Sequence, residues 1–365
     1  MGRGVTLAEV SEGRDNNFDF LRFVLAVFVL FYHCYPILYG LNAPRHGWVE
    51  RVADVCGGVA VPFFFVISGF LVTRSWLADP RPRDFLQKRV LRIYPGFLAA
   101  SLFCALVVGP LGAADPAAYW HDFQPVKFAR WALVLVGPYI PPIFVSLPMS
   151  TGVNGSFWTL RYEGYCYLLV LALGLAGLFR RRGALLVVFL VLYALRAAQT
   201  LTGRVFFPDR EMHLFGNISS WSSLILYFLA GMLFFLYRDR VPYSRLLFLA
   251  CLGALVLCAL GHWEVGLPVC GSYLLLCLAF SRRLPFSRFA RWGDFSYGLY
   301  LYAFPIQQLL VLYYGRQLTI PTLFLSAFLL TLCAAVLSWY AVERPCLRLK
   351  RRSSRAPATR PEIAP

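Results

Sequence analysis

Residues 18–39 read Phe18-Asp19-Phe20-Leu21-Arg22-Phe23-Val24-Leu25-Ala26-Val27-Phe28-Val29-Leu30-Phe31-Tyr32-His33-Cys34-Tyr35-Pro36-Ile37-Leu38-Tyr39. As an α-helix rising about 1.5 Å per residue, this stretch spans about 33 Å, enough to cross a hydrocarbon core of about 30 Å. It follows a 17-residue segment that reads as polar overall and is too long for the apolar region of a signal peptide, so it is expected to be an uncleaved anchor. Composition extends the reading to the whole chain. Of 365 residues, 59% are hydrophobic and 15% charged, a balance no water-soluble domain of this length tolerates.

Ten apolar stretches stand out, at 18–39, 58–73, 94–111, 158–178, 184–200, 221–237, 246–260, 267–280, 296–314 and 318–341. The expected fold is all-α, a polytopic integral membrane protein of about ten transmembrane helices. Residues 1–17 form a cytoplasmic segment, 18–346 the membrane domain and 347–365 a basic, disordered cytoplasmic tail near anionic lipid. The apolar stretch 128–148 is interrupted by Pro138, Pro141, Pro142 and Pro148, which predicts an interfacial or re-entrant segment, with an eleventh span as the alternative.

The net charge of +17 sits in short clusters between the apolar stretches, a topology signal and not a nucleic-acid footprint. With the amino terminus inside, one inner loop holds Arg74, Arg81, Arg83, Lys88, Arg89 and Arg92, and later inner loops hold Arg180–Arg182, Arg238, Arg240, Arg245, Arg282, Arg283, Arg288 and Arg291. Both termini are therefore expected in the cytoplasm, in a multi-pass protein of the cytoplasmic (inner) membrane. The ten cysteines are singletons without a C-x-x-C pair and read as buried small hydrophobes. His46, His121, His213 and His262 lie in outer loops without ligand spacing, so no metal site is expected.

Ionisable groups inside a span are costly and are functional candidates by default. Arg22 and His33 are 11 residues apart, close to three turns, so they share a face about 16 Å apart. Alone, each has a plain explanation: Arg22 reaching lipid phosphate, His33 bonding a neighbouring helix. In Val66-Ile67-Ser68-Gly69-Phe70 the small Ser-Gly pair admits a close backbone, and helix packing is the simpler role for Ser68. Arg89 and Arg92 lie a turn apart at a helix mouth. Positive-inside charge explains such a pair, and a pair of guanidinium forks also suits the phosphates of a nucleotide cofactor. Trp158 and Arg161 fit an interface, whereas Glu163 needs a partner, for which His33 is the candidate. Tyr297 and Tyr300 precede Pro305 and are placed to line a cavity; Glu343-Arg344-Pro345 reads as a polar stop.

In order along the chain, these elements resemble the acyltransferase-3 family of ten-helix membrane O-acyltransferases over roughly residues 18–346. Asp19, Leu21-Arg22 and the R-x10-H spacing to His33 are similar to its opening motif, and Ser68-Gly69-Phe70 to its second-helix motif. Arg89-x-x-Arg92, Trp158-Thr159-Leu160 with Glu163, Ser296-Tyr297 with Tyr300-Leu301, and Glu343-Arg344-Pro345 complete the series. Tyr302 and Ala303 stand where the family usually has Trp-His, and no esterase-like domain follows the tenth stretch. If transfer needs such a domain, a separate soluble partner is expected to supply it.

The resemblance implies an acyl-CoA donor, acetyl-CoA above all, bound from the cytoplasm, and an extracytoplasmic glycan or lipid-linked sugar as acceptor. It implies Arg22, Arg89 and Arg92 on the donor phosphates, His33 as general base, Glu163 orienting it, and Ser68, Trp158, Tyr297 and Tyr300 toward substrate. A transporter or flippase using the same buried charges as a relay is the principal rival, and it leaves the R-x-x-R pair unexplained. A non-catalytic scaffold leaves the buried charges unexplained altogether.

Overall fold

The computed structural model describes residues 5–13, 15–44, 47–150, 152–212, 215–259 and 261–353. In chain order the helices are α1 (Leu7–Ser11), α2 (Phe18–Tyr39), α3 (Trp48–Ala78), α4 (Pro82–Phe103), α5 (Gly109–Gly112), α6 (Pro116–Asp122), α7 (Pro125–Leu133) and α8 (Leu160–Leu175). They continue with α9 (Arg182–Thr202), α10 (Ile218–Leu236), α11 (Arg245–Ala259), α12 (Trp263–Gly266), α13 (Ser272–Ala279), α14 (Ser296–Tyr314), α15 (Ile320–Ser338) and α16 (Arg344–Ser353). π-helical turns at Cys104–Val108, Leu267–Gly271 and Trp339–Glu343 splice α4 to α5, α12 to α13 and α15 to α16. Among the described residues the only strands, Glu211–Met212 and Gly216–Asn217, pair antiparallel between α9 and α10.

Among the described residues each of the ten apolar stretches falls mainly on a helix, and the stretches at 18–39 and 296–314 coincide with α2 and α14. Among the described residues six helical rods are long and apolar enough to cross a membrane by length and composition: Phe18–Tyr39, Trp48–Ala78, Pro82–Gly112, Arg182–Thr202, Ile218–Leu236 and Ile320–Leu349. The Pro-rich stretch 128–148 contains no membrane-length helix, because α7 ends at Leu133. Beyond it the chain is irregular, with Leu135, Ile143 and Phe144 buried and Val145 exposed; Phe144 sits under α5, its N–H bonded to the Gly112 carbonyl at 3.1 Å.

The tightest contact in the bundle is between α3 and α10. A Cβ on Gly69 would lie 2.0 Å from the Phe228 oxygen, and one on Gly231 would lie 2.0 Å from the Val66 oxygen. Each helix therefore lays a glycine on the other's backbone, the small-residue packing that membrane helices use in place of a hydrophobic drive. Gly69 of the Ser-Gly pair does the packing, and its neighbour Ser68 is left to face a cavity.

Two helices occupy the terminal segments. The polar segment 1–17 contains α1, started by a capping box between Thr6 and Glu9 and docked on the α10–α11 connection through Leu7 N–H to the Val241 carbonyl (2.9 Å). At the other end α16 stays helical through Ser353, so residues 347–353 continue the fold, and 354–365 lie outside the described residues. α1 docks at Arg238 and Val241, and α16 packs on α4, so both ends of the described chain lie at the end of the bundle that carries the basic connections.

Candidate active site

A cavity of about 300 Å³ opens at that basic end and runs between α2, α3, α4, α8 and α14. Helical spacing explains its lining. On α4, Arg89 and Arg92 are i,i+3 neighbours with Lys88 beside them; on α8, Glu163 and Tyr167 are i,i+4; on α14, Tyr297 and Tyr300 are i,i+3. Arg22 of α2, Ser68 of α3 and Thr159 ahead of α8 complete the polar wall. Seven of the nine residues singled out in the sequence thus meet in one cavity: Arg22, Ser68, Arg89, Arg92, Glu163, Tyr297 and Tyr300.

The cations in the wall are not equivalent. Arg92 donates to the Asp294 carboxylate at 2.6 Å and lies over the Tyr297 ring at 5.7 Å. Burial pushes the Asp294 carboxyl up, but Arg92 and Arg22 overcome it and hold the group below the ordinary aspartate value. Arg22 pairs with Asp19 at 3.4 Å, and Lys88 with Asp79 at 2.8 Å. Arg89 instead finds a hydroxyl, Ser75 Oγ at 3.3 Å; it lies over Phe85 and Tyr167 at 5.7 and 5.5 Å, and its buried Nε has no hydrogen-bond partner. A buried donor without a partner is a standing cost that an incoming acceptor atom removes.

The carboxylate in the wall, Glu163, accepts from the Tyr167 hydroxyl and interacts electrostatically with Arg89. Tyr300 shares a hydrogen bond with Thr159 at 2.6 Å, and Tyr297 donates to the Ile93 carbonyl at 2.9 Å. The aromatic hydroxyls are thereby fixed in place before any ligand arrives.

His33 and Trp158 lie outside this lining. Trp158 is partly exposed and meets Tyr162 edge-on. His33 is buried, edge-on to Phe304 with 5.1 Å between ring centroids, and its ring lies over the backbone of Val29, one turn back on α2. Its depth follows from the antiparallel α2–α3 pair, in which Phe18 meets Phe70 and Tyr32 lies against Gly57. Val61, on the cavity wall, is then level with Val27 and Phe28, and His33 lies about 7.5 Å beyond the cavity. On the parallel α3–α8 pair Gly174 meets Trp76, so Glu163 is level with Phe65 and about 13 Å along the bundle from His33. The expected His33–Glu163 contact is replaced by the Glu163–Tyr167 bond.

Asp294 and Glu343 lie behind the cavity wall as electrostatic partners of Arg92, a placement the sequence reading did not include. Glu343 is buried and accepts from Ser338 Oγ at 3.0 Å. Its π-helical turn stacks residues five apart, which turns the carboxylate inward toward Arg92. Among the described residues no group of three His, Cys, Asp or Glu side chains is placed to hold a metal ion.

Comparison with known proteins identifies the family. The chain is 28% identical to an O-acetyl transferase of Shigella phage Sf6 over 93% of its own length and 98% of that protein. It is 29% identical to nodulation protein 10 of Rhizobium leguminosarum bv. viciae, over 94% and 96% of the two chains. No solved structure matches. The model of the family described as "Acyltransferase domain" matches residues 15–340, which include every residue of the cavity named above except Leu347 of its lining and Glu343 behind it; the chain belongs to the acyltransferase-3 family of multi-pass membrane enzymes.

Proposed function

We propose that the protein is an O-acetyltransferase of the cytoplasmic membrane, with both termini inside, that moves an acetyl group from cytoplasmic acetyl-CoA to a hydroxyl of an extracytoplasmic glycan or lipid-linked sugar. The observation that carries the reading is the cavity itself, where Arg22, Arg89 and Arg92 from two helices converge at the basic end. Guanidinium groups bind phosphate through paired, charge-assisted hydrogen bonds, and a CoA donor presents phosphates at its cytoplasmic end. The printed name of the phage relative supports acetyl as the group and oxygen as its destination.

In this reading Arg22 and Arg89 take the donor phosphates, while Arg92, already held by Asp294, keeps the wall in shape and supplies field. Glu163 balances Arg89 and fixes Tyr167. Ser68, Tyr297 and Tyr300 line the path of the acyl arm, and Trp158 meets the acceptor outside the cavity. His33, buried beside Phe304 beyond the cavity, takes the proton as the acceptor oxygen attacks the thioester carbonyl. The C–S bond then breaks, and the proton returns to the departing thiolate as CoA thiol.

Purified protein in lipid nanodiscs, given acetyl-CoA labelled in the acetyl group, tests this. Release of CoA thiol, with label passing to water or to added glycan, is the expected result. Intact acetyl-CoA, together with solute movement across sealed vesicles, would replace this reading with a transport relay.

A further inference from the structure

α14 carries Pro305 in its interior. A proline has no N–H for the carbonyl four residues back, so Leu301 loses its helical partner. Within a membrane such a carbonyl must be satisfied from elsewhere, since lipid offers no donor. The Asn154 side chain donates to the Leu301 oxygen at 2.7 Å. Its own Oδ1 accepts from the Ser156 N–H at 2.9 Å, so both ends of the amide are engaged.

The break is also the seam between the two halves of the site. Ahead of it, Tyr297 and Tyr300 line the cavity. Behind it, Phe304 presses edge-on against His33, and Gly155 lies so close that a Cβ there would come within 2.6 Å of the Phe304 ring. Two further amides brace the same region: Gln307 donates to the Leu30 carbonyl of α2 at 2.9 Å, and Gln308 to the Met149 carbonyl at 2.6 Å.

We propose that Asn154 is a positioning residue, replacing the backbone hydrogen bond that Pro305 removes and thereby fixing Tyr300 relative to Phe304 and His33. Its effect on transfer rests on the acetyltransferase reading; the hydrogen-bond replacement does not. A residue serving only its own turn with Ser156 would be needed whether or not position 305 is a proline. A residue serving the freed carbonyl becomes dispensable once an N–H is restored there.

The test is a cycle of four proteins in nanodiscs: wild type, Asn154→Ala, Pro305→Ala and the double variant. Thermal unfolding, acetyl-CoA affinity and acetyl transfer rate are read on each. Asn154→Ala is expected to lower the transfer rate on the order of tenfold or more, with donor affinity within about twofold of wild type. The double variant is expected to match Pro305→Ala within about threefold in rate and in unfolding midpoint, since residues that share a partner are non-additive. If Asn154→Ala does not fold, a double variant that folds like Pro305→Ala is the supporting result, and one that fails alongside it overturns the proposal. Additive losses in unfolding and rate also overturn it. Suppression in the unfolding midpoints without transfer by any of the four would sink the acetyltransferase reading and leave this inference standing.

Discussion

Replacing Arg89 with alanine separates a donor-binding cation from a topology signal. Arg89 has one long hydrogen bond, 3.3 Å to Ser75 Oγ, and an unpaired Nε; its removal breaks no salt bridge and leaves Glu163, its electrostatic neighbour, still bonded to Tyr167. The cost to folding should therefore be small. The cost to donor binding is one charge-assisted contact, about 1.5–3 kcal/mol, or roughly 10- to 150-fold in Kd. Arg89→Lys keeps a charge beside Glu163 but loses the fork and should fall between the two. Equilibrium binding of labelled acetyl-CoA to each protein in nanodiscs, at matched amounts of folded protein, measures this. Wild-type affinity in the alanine variant would refute the reasoning and leave Arg89 as positive-inside charge alone.

Arg92→Ala should behave differently, destabilising the protein by about 1.5–3 kcal/mol because it leaves Asp294 without its partner; a lower unfolding midpoint checks this. Because the folded Asp294 pKa lies below its unfolded value, the pair contributes above the ordinary aspartate pKa and is lost as pH falls through the folded value. Asp294→Asn should flatten that acid limb of the unfolding curve. Gly69→Ala puts a Cβ 2.0 Å from the Phe228 oxygen and should separate α3 from α10, seen as loss of folded protein at membrane-insertion levels equal to wild type. His33→Ala should cut acetyl transfer roughly 10²- to 10⁴-fold while donor affinity persists, whereas full transfer would remove His33 from the mechanism.

Much of this was readable in the chain because lipid imposes simple rules. A helix crossing it needs about 20 apolar residues, so the ten stretches fell mainly on helices. Gly69 announced close packing because only a missing side chain permits it. The R-x-x-R spacing placed Arg89 and Arg92 on one face, but which of them carries a carboxylate depends on Asp294, far along the chain, and no local pattern holds that information. Glu163 was expected beside His33 because the boundary of its span was read from hydropathy alone. The start of α8 is held deeper, where Thr159 bonds Tyr300, and this brings Glu163 to the level of the arginines. Its actual partner, Tyr167, is four residues on along the same helix and was legible from spacing. So was α1: Thr6-Leu7-Ala8-Glu9 is a capping-box signature inside a segment read only as polar. The inward turn of Glu343 was not legible, because it depends on a π-helical turn that no residue type in the stretch dictates.

The central claim is that the arginine-lined cavity holds the donor, and a cryo-EM structure with a non-hydrolysable acetyl-CoA analogue tests it most directly. The account predicts phosphate density within hydrogen-bond distance of Arg22 and Arg89, with the acyl arm passing Tyr300 toward His33. An analogue bound elsewhere on the protein, with the cavity of Arg22, Arg89 and Arg92 unfilled, would contradict it.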